Sequence, residues 1–184
     1  RRGADASVIE AGVGAARDAT ATLPDARAVV VTNVAEDHLE QIGPTVRDVA
    51  RDKGAAIRPG RPAITGAEGA PLEELRRIAA ERGARLHVLA DGGPSFAWPE
   101  AADPPPGGVA ETSARLALAT LRTFGLPADR EPAALLAATR DPRLPARRER
   151  FALAAGRTVW LDAAHNPAAA AALWREAPHG AHVL

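Results

Sequence analysis

Ala28-Val29-Val30-Val31-Thr32-Asn33-Val34 decides the fold class, because a continuous β-branched run is typical of a strand covered on both faces. Downstream of it, the pattern predicts a helix that Thr45 caps and Pro59-Gly60 ends, a strand over 62–66, a helix over 71–83 and a strand over 85–90. Strands that alternate with helices in this way pair in parallel and carry the helices on the faces of the sheet. The sequence therefore predicts an α/β fold built on a parallel sheet.

Further elements flank this central pattern. Residues 7–12 are a short apolar run closed by glycines, which predicts a buried strand that enters a loop. Residues 141–145 predict a linker, and the roughly 40 residues beyond it are too few to bury a core of their own. We therefore expect one domain over 1–140 and a second, truncated one over 141–184. The other predicted elements are helices over 111–124, 131–139 and 167–176 and strands over 158–162 and 182–184.

The composition excludes several functional classes. The chain of 184 residues carries 23 basic and 23 acidic side chains, so it lacks the surplus of positive charge on which nucleic-acid binding depends. It contains no Cys, which excludes disulfides and thiolate catalysis. No apolar run approaches the length of about 20 residues that a membrane helix needs. It also shows no signal peptide and no Met, so we expect a cytoplasmic protein and a segment of a longer chain.

Two residue types are rare enough to be informative. Lys53 is the only Lys among the 23 basic residues, and Asn33 and Asn166 are the only Asn. Where Arg has replaced Lys almost everywhere, a Lys that remains can have a role that a guanidinium cannot fill. The alternative is that Lys53 is an ordinary solvated helix residue that remains by chance.

Glu10 and His38 each follow the end of a predicted parallel strand. That edge of an open α/β sheet is where ligands bind, and a carboxylate and an imidazole there can share a divalent cation, although His is the less usual ligand for magnesium. The alternatives are a surface glutamate and a structural histidine.

Five short motifs lie along the chain in a fixed order. They are Glu10-Ala11-Gly12-Val13-Gly14 with Asp18-Ala19-Thr20; Thr32-Asn33-Val34-Ala35-Glu36-Asp37-His38-Leu39 with Ile42-Gly43; Asp52-Lys53-Gly54-Ala55-Ala56-Ile57-Arg58-Pro59-Gly60; Pro145-Ala146-Arg147-Arg148-Glu149; and Leu161-Asp162-Ala163-Ala164-His165-Asn166-Pro167. In the same order they resemble E-x-G-x-G-G-R-x-D-A-T-N, T-N-I-G-x-D-H-x-x-x-L-G, E-K-A-G-I-I-K-P-G, P-G-R-x-E and L-D-G-A-H-N-P. These are signatures of the folylpolyglutamate synthase and dihydrofolate synthase family, which belongs to the Mur-ligase group of ATP-dependent amide-forming enzymes.

The resemblance implies a domain organisation and a metal site. Residues 1–140 would be the later part of the central ATP-binding Mur-ligase domain, and 141–184 the linker and the start of a Rossmann-like C-terminal domain. Glu10 and His38 would be magnesium ligands. Lys53 would be carbamylated by carbon dioxide and help to hold the ion; an amine can undergo this reaction, whereas a guanidinium has no free nucleophilic lone pair.

The resemblance also implies roles for residues of the later motifs. Arg147 would reach the ATP phosphates and Asp162 would accept hydrogen bonds from the ribose hydroxyls, with Asn166 in the same nucleotide-binding motif. His165 would lie on the substrate side of the cleft and take part in catalysis. Ser113 stands where the family often has an adenine-facing Asn. The alternatives are a solvated basic linker for Arg147 and an ordinary strand-end carboxylate for Asp162.

The chain also departs from the family pattern. It contains no phosphate-binding G-x-x-x-x-G-K-[ST] loop, which in the family lies upstream of the matched motifs, so we expect the isolated chain to be inactive. Ala16 and Ala21 stand where the first motif has its Arg-containing stretch and its final Asn, and Ser113 offers less to adenine than an Asn. Nucleotide affinity is therefore the property that these departures affect most.

The expected function is that of an ATP-dependent ligase that joins glutamate to a folate-type carboxylate through an acyl phosphate. Its partners would be folate or dihydropteroate, L-glutamate, ATP and Mg²⁺, with no nucleic acid and no membrane, and it would act as a monomer. One alternative is another Mur-group ligase acting on a cell-wall precursor or a polyglutamate, although Ile57-Arg58-Pro59-Gly60 favours the folate branch. The other is a non-catalytic remnant.

Overall fold

The computed structural model describes residues 6–23, 25–93, 97, 109–125 and 144–177. The chain divides into two compact units, Arg1–Ala97 with Leu116–Leu126 and Trp98–Arg115 with Pro127–Leu184. The predicted boundary between 1–140 and 141–184 falls within 126–143, outside the described residues, and stays a prediction. Among the helices that the structure describes, none combines the length and the apolar character needed to cross a bilayer.

The first unit is built on a three-stranded parallel sheet. Its strands are β1 (Val29–Val31), β2 (Ala63–Thr65) and β3 (Leu86–Val88), in the order β1-β2-β3. Val30 pairs with Ile64, which pairs with His87. The α/β class and the parallel pairing predicted from the sequence are confirmed.

Three helices connect these strands: α1 (Leu39–Ile42) and α2 (Val46–Gly54) before β2, and α3 (Gly69–Glu81) before β3. The predicted cap of α2 is confirmed, because Thr45 Oγ1 accepts a hydrogen bond from the Asp48 N–H at 3.2 Å and the Asp48 carboxylate accepts one from the Thr45 N–H at 3.1 Å. The helix ends at Gly54, earlier than the predicted stop at Pro59-Gly60. Its last carbonyls turn instead towards Arg82, whose guanidinium donates a hydrogen bond to the Ala55 carbonyl at 2.9 Å.

Side chains pack on both faces of the sheet, but Val30 of β1 is 39% exposed, so the cover that the β-branched run predicts is incomplete at that strand. On one face Val31 and Ala63 pack with Ile57, Leu75 and Ile78, which come from α3 and from the turn after α2. On the other face Ile64 packs against Leu116 and Ala119 of α4 (Val109–Thr123). Each fully buried Ile or Leu contributes about 1.5–3 kcal/mol relative to exposure, so these few contacts fix the sheet that carries the candidate site.

Over residues 144–177 of the second unit the structure describes an antiparallel strand pair followed by a helix. β4 (Glu149–Ala152) pairs with β5 (Thr158–Leu161), and α5 (Pro167–Glu176) follows. The strand at 158–162 and the helix at 167–176 were predicted, and the structure confirms both apart from the last residue of the strand. β4 was not predicted, because Glu149-Arg150-Phe151-Ala152 is short and half charged, and it is a strand only through its partner β5.

One predicted strand is wrong, and three other predicted segments lie wholly or partly outside the described residues. Residues 7–12 form no regular element, and Val8 is 102% and Ile9 58% exposed. The prediction failed because a strand needs a neighbour, and none of the described strands pairs with this segment. The helix at 131–139, the strand at 182–184 and part of the linker at 141–145 lie outside the described residues.

Candidate functional site

The carboxyl ends of β1 and β2 are joined by a buried threonine. Thr65 is 0% exposed; its hydroxyl donates to the Val31 carbonyl at 2.7 Å and accepts from the Ala67 N–H at 3.0 Å. The Gly66 N–H donates to the Thr32 carbonyl at 3.0 Å. These bonds fix the start of the loop 32–38 at the edge where ligands of open α/β sheets bind.

His38 lies at the end of this loop, where α1 begins. Its backbone is left-handed (φ 50°), and its carbonyl accepts hydrogen bonds from the N–H groups of Gln41 (2.9 Å) and Ile42 (3.0 Å). Its imidazole Nε2 is 3.7 Å from the Asp37 carboxylate. A left-handed backbone is costly for a residue other than glycine and is often found at functional sites, so His38 remains a candidate ligand on geometric grounds as well.

Lys53 lies half-buried in the last turn of α2, and the residue beside it connects this helix to the first motif. The Asp52 carboxylate accepts a hydrogen bond from the Ala15 N–H at 2.6 Å. Gly14, with φ +68°, lies so close to this carboxylate that a Cβ there would collide with it. The motif that begins with Glu10 is therefore tied to the helix that carries Lys53.

The segment after Glu10 is also held by its own side chains. The Asp18 carboxylate accepts hydrogen bonds from the Thr20 hydroxyl and N–H and from the Gly12 N–H. These bonds, those from Thr20 first, hold the pKa of Asp18 below its ordinary value. Arg58, which follows α2, donates to the Ala21 carbonyl at 3.0 Å. Glu10 itself lies exposed two residues before Gly12.

Several candidate side chains of the first unit are of types that bind a hard divalent cation. Glu10 and Asp37 supply carboxylate oxygens, the ligands that Mg²⁺ prefers, and His38 supplies an imidazole. A carbamate on Lys53 would add oxygen ligands from α2. That these residues share one ion stays a prediction.

An ion-pair network around the buried Glu74 carboxylate fixes α2 against α3. Glu74 is 5% exposed and accepts hydrogen bonds from Arg77 on its own helix and from Arg51 of α2, at 2.7 and 3.0 Å. The bond from Arg77 is the main cause that lowers the pKa of Glu74 to about 2. Arg51 lies two residues before Lys53 on α2, so the network holds the helix that presents this lysine.

In the second unit the Asp162 carboxylate holds two backbone segments together. One oxygen accepts from the Arg148 N–H at 2.9 Å and the other from the Ala164 N–H at 2.8 Å. The Ala163 N–H donates to the Ala146 carbonyl at 2.8 Å. The turn that carries Arg147 is thus bound to the loop that follows β5, and the Arg147 side chain is exposed.

The same loop leads into α5 through the remaining residues of the motif. Asn166 is the N-cap of α5, and its side-chain oxygen accepts from the Ala169 N–H at 2.8 Å. His165 is exposed, with Nδ1 2.9 Å from the Ala163 carbonyl. Ser113 lies exposed on α4. The structure therefore brings Arg147, Asp162, His165 and Asn166 together around one loop. The side-chain oxygens of Asp162 and Asn166 accept hydrogen bonds from backbone N–H groups there.

Sequence reasoning missed the residues that position these groups. Thr65 and Asp52 connect the loop 32–38 and the first motif to the sheet and to α2, and neither was singled out. A signal existed for Thr65, since a hydroxyl within a buried strand must find a hydrogen-bond partner. No sequence signal identifies Ala15 as the partner of Asp52, because 37 residues separate them.

Comparison with known sequences identifies relatives. No family model matches the chain. Over 81 residues it is 37% identical to a probable bifunctional folylpolyglutamate synthase/dihydropteroate synthase of Haloferax volcanii, which is 44% of this chain and 10% of that protein. Over 82 residues it is 37% identical to the dihydrofolate synthase/folylpolyglutamate synthase of Escherichia coli, which is 45% of this chain and 19% of that protein.

Comparison with solved structures extends the likeness to most of the chain. Escherichia coli FolC in complex with DHPP and ADP covers 90% of this chain at 29% identity and a TM-score of 0.74. The bifunctional folylpolyglutamate synthase/dihydrofolate synthase of Yersinia pestis, with AMPPNP and Mn, covers 90% at 26% identity and a TM-score of 0.71. The apo form of L. casei FPGS shares the fold at 21% identity and a TM-score of 0.67.

These matches cover only part of each relative. The matched stretch is between a tenth and a fifth of the two curated proteins, and 41% of the E. coli and Y. pestis chains in the structures. The fold, the sequence similarity and the five motifs agree on one group of proteins.

Proposed function

We propose that this chain belongs to the family of folylpolyglutamate synthases and dihydrofolate synthases, and that the whole protein is an ATP-dependent ligase that joins glutamate to a folate-type carboxylate. The likeness to FolC bound to ADP and DHPP carries the proposal, since it covers 90% of the chain at 29% identity. The motifs that hold the candidate residues fall within both units of the chain.

The proposed reaction has two steps. The γ-phosphoryl group of ATP passes to a carboxylate oxygen of the substrate, and ADP leaves. The amine nitrogen of glutamate then attacks the acyl carbon of this acyl phosphate, inorganic phosphate leaves, and the amine proton passes to solvent. The product is an amide, and for a folate substrate the amide is γ-linked.

Charged and polar side chains of this chain would bind and orient the nucleotide. Arg147 would contact the phosphates, because a guanidinium presents several N–H donors to phosphate oxygens. Two observations support this role: the Arg147 side chain is exposed, and a hydrogen bond from the Arg148 N–H to the Asp162 carboxylate fixes the turn that carries it. Asn166 and Ser113 are proposed as further nucleotide contacts, and His165 would bind on the substrate side.

The first unit would contribute the metal site. Glu10, His38 and a carbamylated Lys53 would hold Mg²⁺, and the tie between Ala15 and Asp52 supports the proximity of the segments that carry Glu10 and Lys53. The ion, when bound, neutralises negative charge on the phosphoryl group that is transferred.

An activity assay on the whole protein tests the proposal and separates it from its alternatives. We expect ADP release that depends on glutamate and on folate or dihydropteroate. ADP release that requires a cell-wall precursor instead would identify another Mur-group ligase, and no release with any acceptor would favour a non-catalytic remnant. The 184-residue chain alone should release no ADP, because it lacks a phosphate-binding loop.

Substitution of Lys53 tests the carbamate. Lys53→Arg keeps the positive charge but cannot react with carbon dioxide, so it should lower kcat/KM nearly as much as Lys53→Ala. Acetate or formate should partly restore Lys53→Ala and do little for Lys53→Arg, whose side chain fills the space. Near-wild-type activity of Lys53→Arg would contradict the carbamate.

A spectroscopic measurement checks the same group without turnover. Wild-type protein in ¹³C-bicarbonate should show a carbamate carbon signal by NMR, and the signal should be absent from Lys53→Arg. Lys53 is the only lysine of this chain, so within it no other lysine contributes to the signal.

A further inference from the structure

The segment 6–23, which carries Glu10, is buried at one point. Gly14 and Ala15 are its buried residues, and the others are exposed or half-buried. Ala15, with 6% of its surface exposed, donates its N–H to the Asp52 carboxylate at 2.6 Å. Hydrogen bonds to an ionised acceptor are about twice as strong as neutral ones. Asp52 therefore holds the segment at the place where it enters the protein interior.

Gly14 allows the backbone to approach this carboxylate. Its φ is +68°, a conformation that glycine adopts freely, and a Cβ at this position would collide with the Asp52 side chain. Gly60 has nearly the same φ, +66°, but nothing lies within 4 Å of the position of its Cβ. The close approach is therefore a feature of Gly14 and Asp52, and Gly60 provides a matched control.

The contact with Asp52 also places the residues before it. The Gly12 N–H donates to the Asp18 carboxylate at 3.0 Å, so residues 12–18 close into a loop. Glu10 lies two residues before Gly12, and an extended chain spans at most about 3.6 Å per residue, so Glu10 stays within about 7 Å of this loop. A shift of the loop on α2 therefore shifts Glu10.

Asp52 connects this loop to the helix that carries Lys53. The two residues are adjacent on α2, and Arg51 of the same helix donates a hydrogen bond to the buried Glu74 carboxylate at 3.0 Å. The helix is thus a fixed base on which the loop docks. The contact at Asp52 joins the two segments that carry the candidate ligands Glu10 and Lys53.

We propose that Asp52 is a positioning residue that docks the loop 12–18 on α2 and thereby sets the position of Glu10 relative to Lys53 for binding a divalent cation. The cation half of this inference rests on the proposed function, whereas the docking of the loop does not. Residues that orient metal ligands in this way typically contribute about 10–100-fold to metal affinity.

Amide hydrogen exchange of the whole protein, without metal or nucleotide, tests the docking. Asp52→Ala should speed exchange of the Ala15 amide, with peptides from β2 and β3 unchanged. Asp52→Asn keeps an acceptor oxygen, so its effect should be smaller. Gly14→Ala should also speed exchange at Ala15, because its Cβ displaces the carboxylate, whereas Gly60→Ala should not. Unchanged exchange at Ala15 in Asp52→Ala would overturn the inference, whatever the ion does.

Binding of Mn²⁺ in the presence of bicarbonate, measured from the EPR signal of the free ion, tests whether the docking acts on the cation. Asp52→Ala should bind Mn²⁺ at least about ten-fold more weakly than the wild-type protein, and Asp52→Asn should lose less. Gly60→Ala should bind with wild-type affinity. Adding Asp52→Ala to Glu10→Ala should cause no further loss, because the effect of Asp52 passes through Glu10.

The remaining results separate this inference from the proposed function. Wild-type Mn²⁺ affinity in Asp52→Ala would overturn the positioning role. Additive losses in the double variant of Glu10 and Asp52 would overturn it as well and favour a direct contact of Asp52 with the ion. No Mn²⁺ binding by the wild-type protein, or wild-type affinity in Glu10→Ala, would refute the proposed metal site and the cation half of this inference. The exchange measurement would still decide whether Asp52 docks the loop.

Discussion

Thr65→Val replaces a buried hydroxyl with a methyl group of nearly the same shape. The hydroxyl of Thr65 makes two hydrogen bonds, to the Val31 carbonyl at 2.7 Å and from the Ala67 N–H at 3.0 Å, and the residue is 0% exposed. Valine keeps the packing and removes both bonds. The substitution therefore isolates the connection between the carboxyl ends of β1 and β2.

The expected loss follows from what each partner retains. The Val31 carbonyl keeps a longer contact with the Gly66 N–H at 3.4 Å, whereas the N–H of Ala67, which is 2% exposed, is left without an acceptor. An unsatisfied buried donor costs about 1–3 kcal/mol. The added methyl returns about 0.8 kcal/mol through burial, so we expect a net loss of about 0.2–2 kcal/mol.

Urea unfolding followed by circular dichroism measures this loss, with Thr65→Ser as the matched control. Serine keeps both hydrogen bonds and loses one methyl, which costs about 0.5–1.5 kcal/mol in buried sites. Amide exchange separates the two causes: the Ala67 amide should exchange faster in Thr65→Val and at the wild-type rate in Thr65→Ser. A Thr65→Val protein with the wild-type midpoint and wild-type exchange at Ala67 would refute the reasoning.

Two further predictions concern the packing around α2. Gly14→Ala should destabilise the protein more than Gly60→Ala in urea unfolding: both glycines have a left-handed φ, but only the Cβ at Gly14 meets Asp52, and equal losses would contradict this. Hydrogen bonds from Arg77 and Arg51 lower the pKa of Glu74 from 4.5 to about 2. The stability that these ion pairs contribute is therefore complete above pH 4.5 and is lost as the pH falls towards 2. Glu74→Gln should flatten the stability profile over that range, and an unchanged slope would show that other groups cause it.

The parts of the fold that local sequence determines were predictable. β1 is a β-branched run that suits a strand with two covered faces, and the Thr45 cap needs only its own hydroxyl and an acidic residue three positions later. The segment 7–12 has the same apolar character but no partner among the described strands, so hydrophobicity alone gave the wrong element. β4 shows the converse, since its partner makes a strand of a sequence with weak intrinsic preference.

The same distinction between local sequence signals and long-range contacts applies to the candidate site. Glu10, His38 and Lys53 were predicted from motifs, because short-range spacing carries the family pattern, and their role in binding a metal stays a prediction. Their supports were not, because Asp52 meets Ala15 across 37 residues and Thr65 meets Val31 across 34. Such pairs depend on how the chain folds back on itself, which no local pattern encodes.

Two motif residues have structural duties that affect how any variant is interpreted. Asn166 caps α5 and Asp162 holds the Arg148 turn, so removing either side chain changes the backbone as well as any contact with a ligand. A cap alone is worth about 1 kcal/mol, enough to change a measured affinity several-fold if the loop shifts. Asn166→Asp keeps the capping oxygen and removes the amide, whereas Asn166→Ala removes both. Only a loss of affinity common to the two variants assigns Asn166 a nucleotide contact through its amide; a loss confined to Asn166→Ala assigns it to the cap.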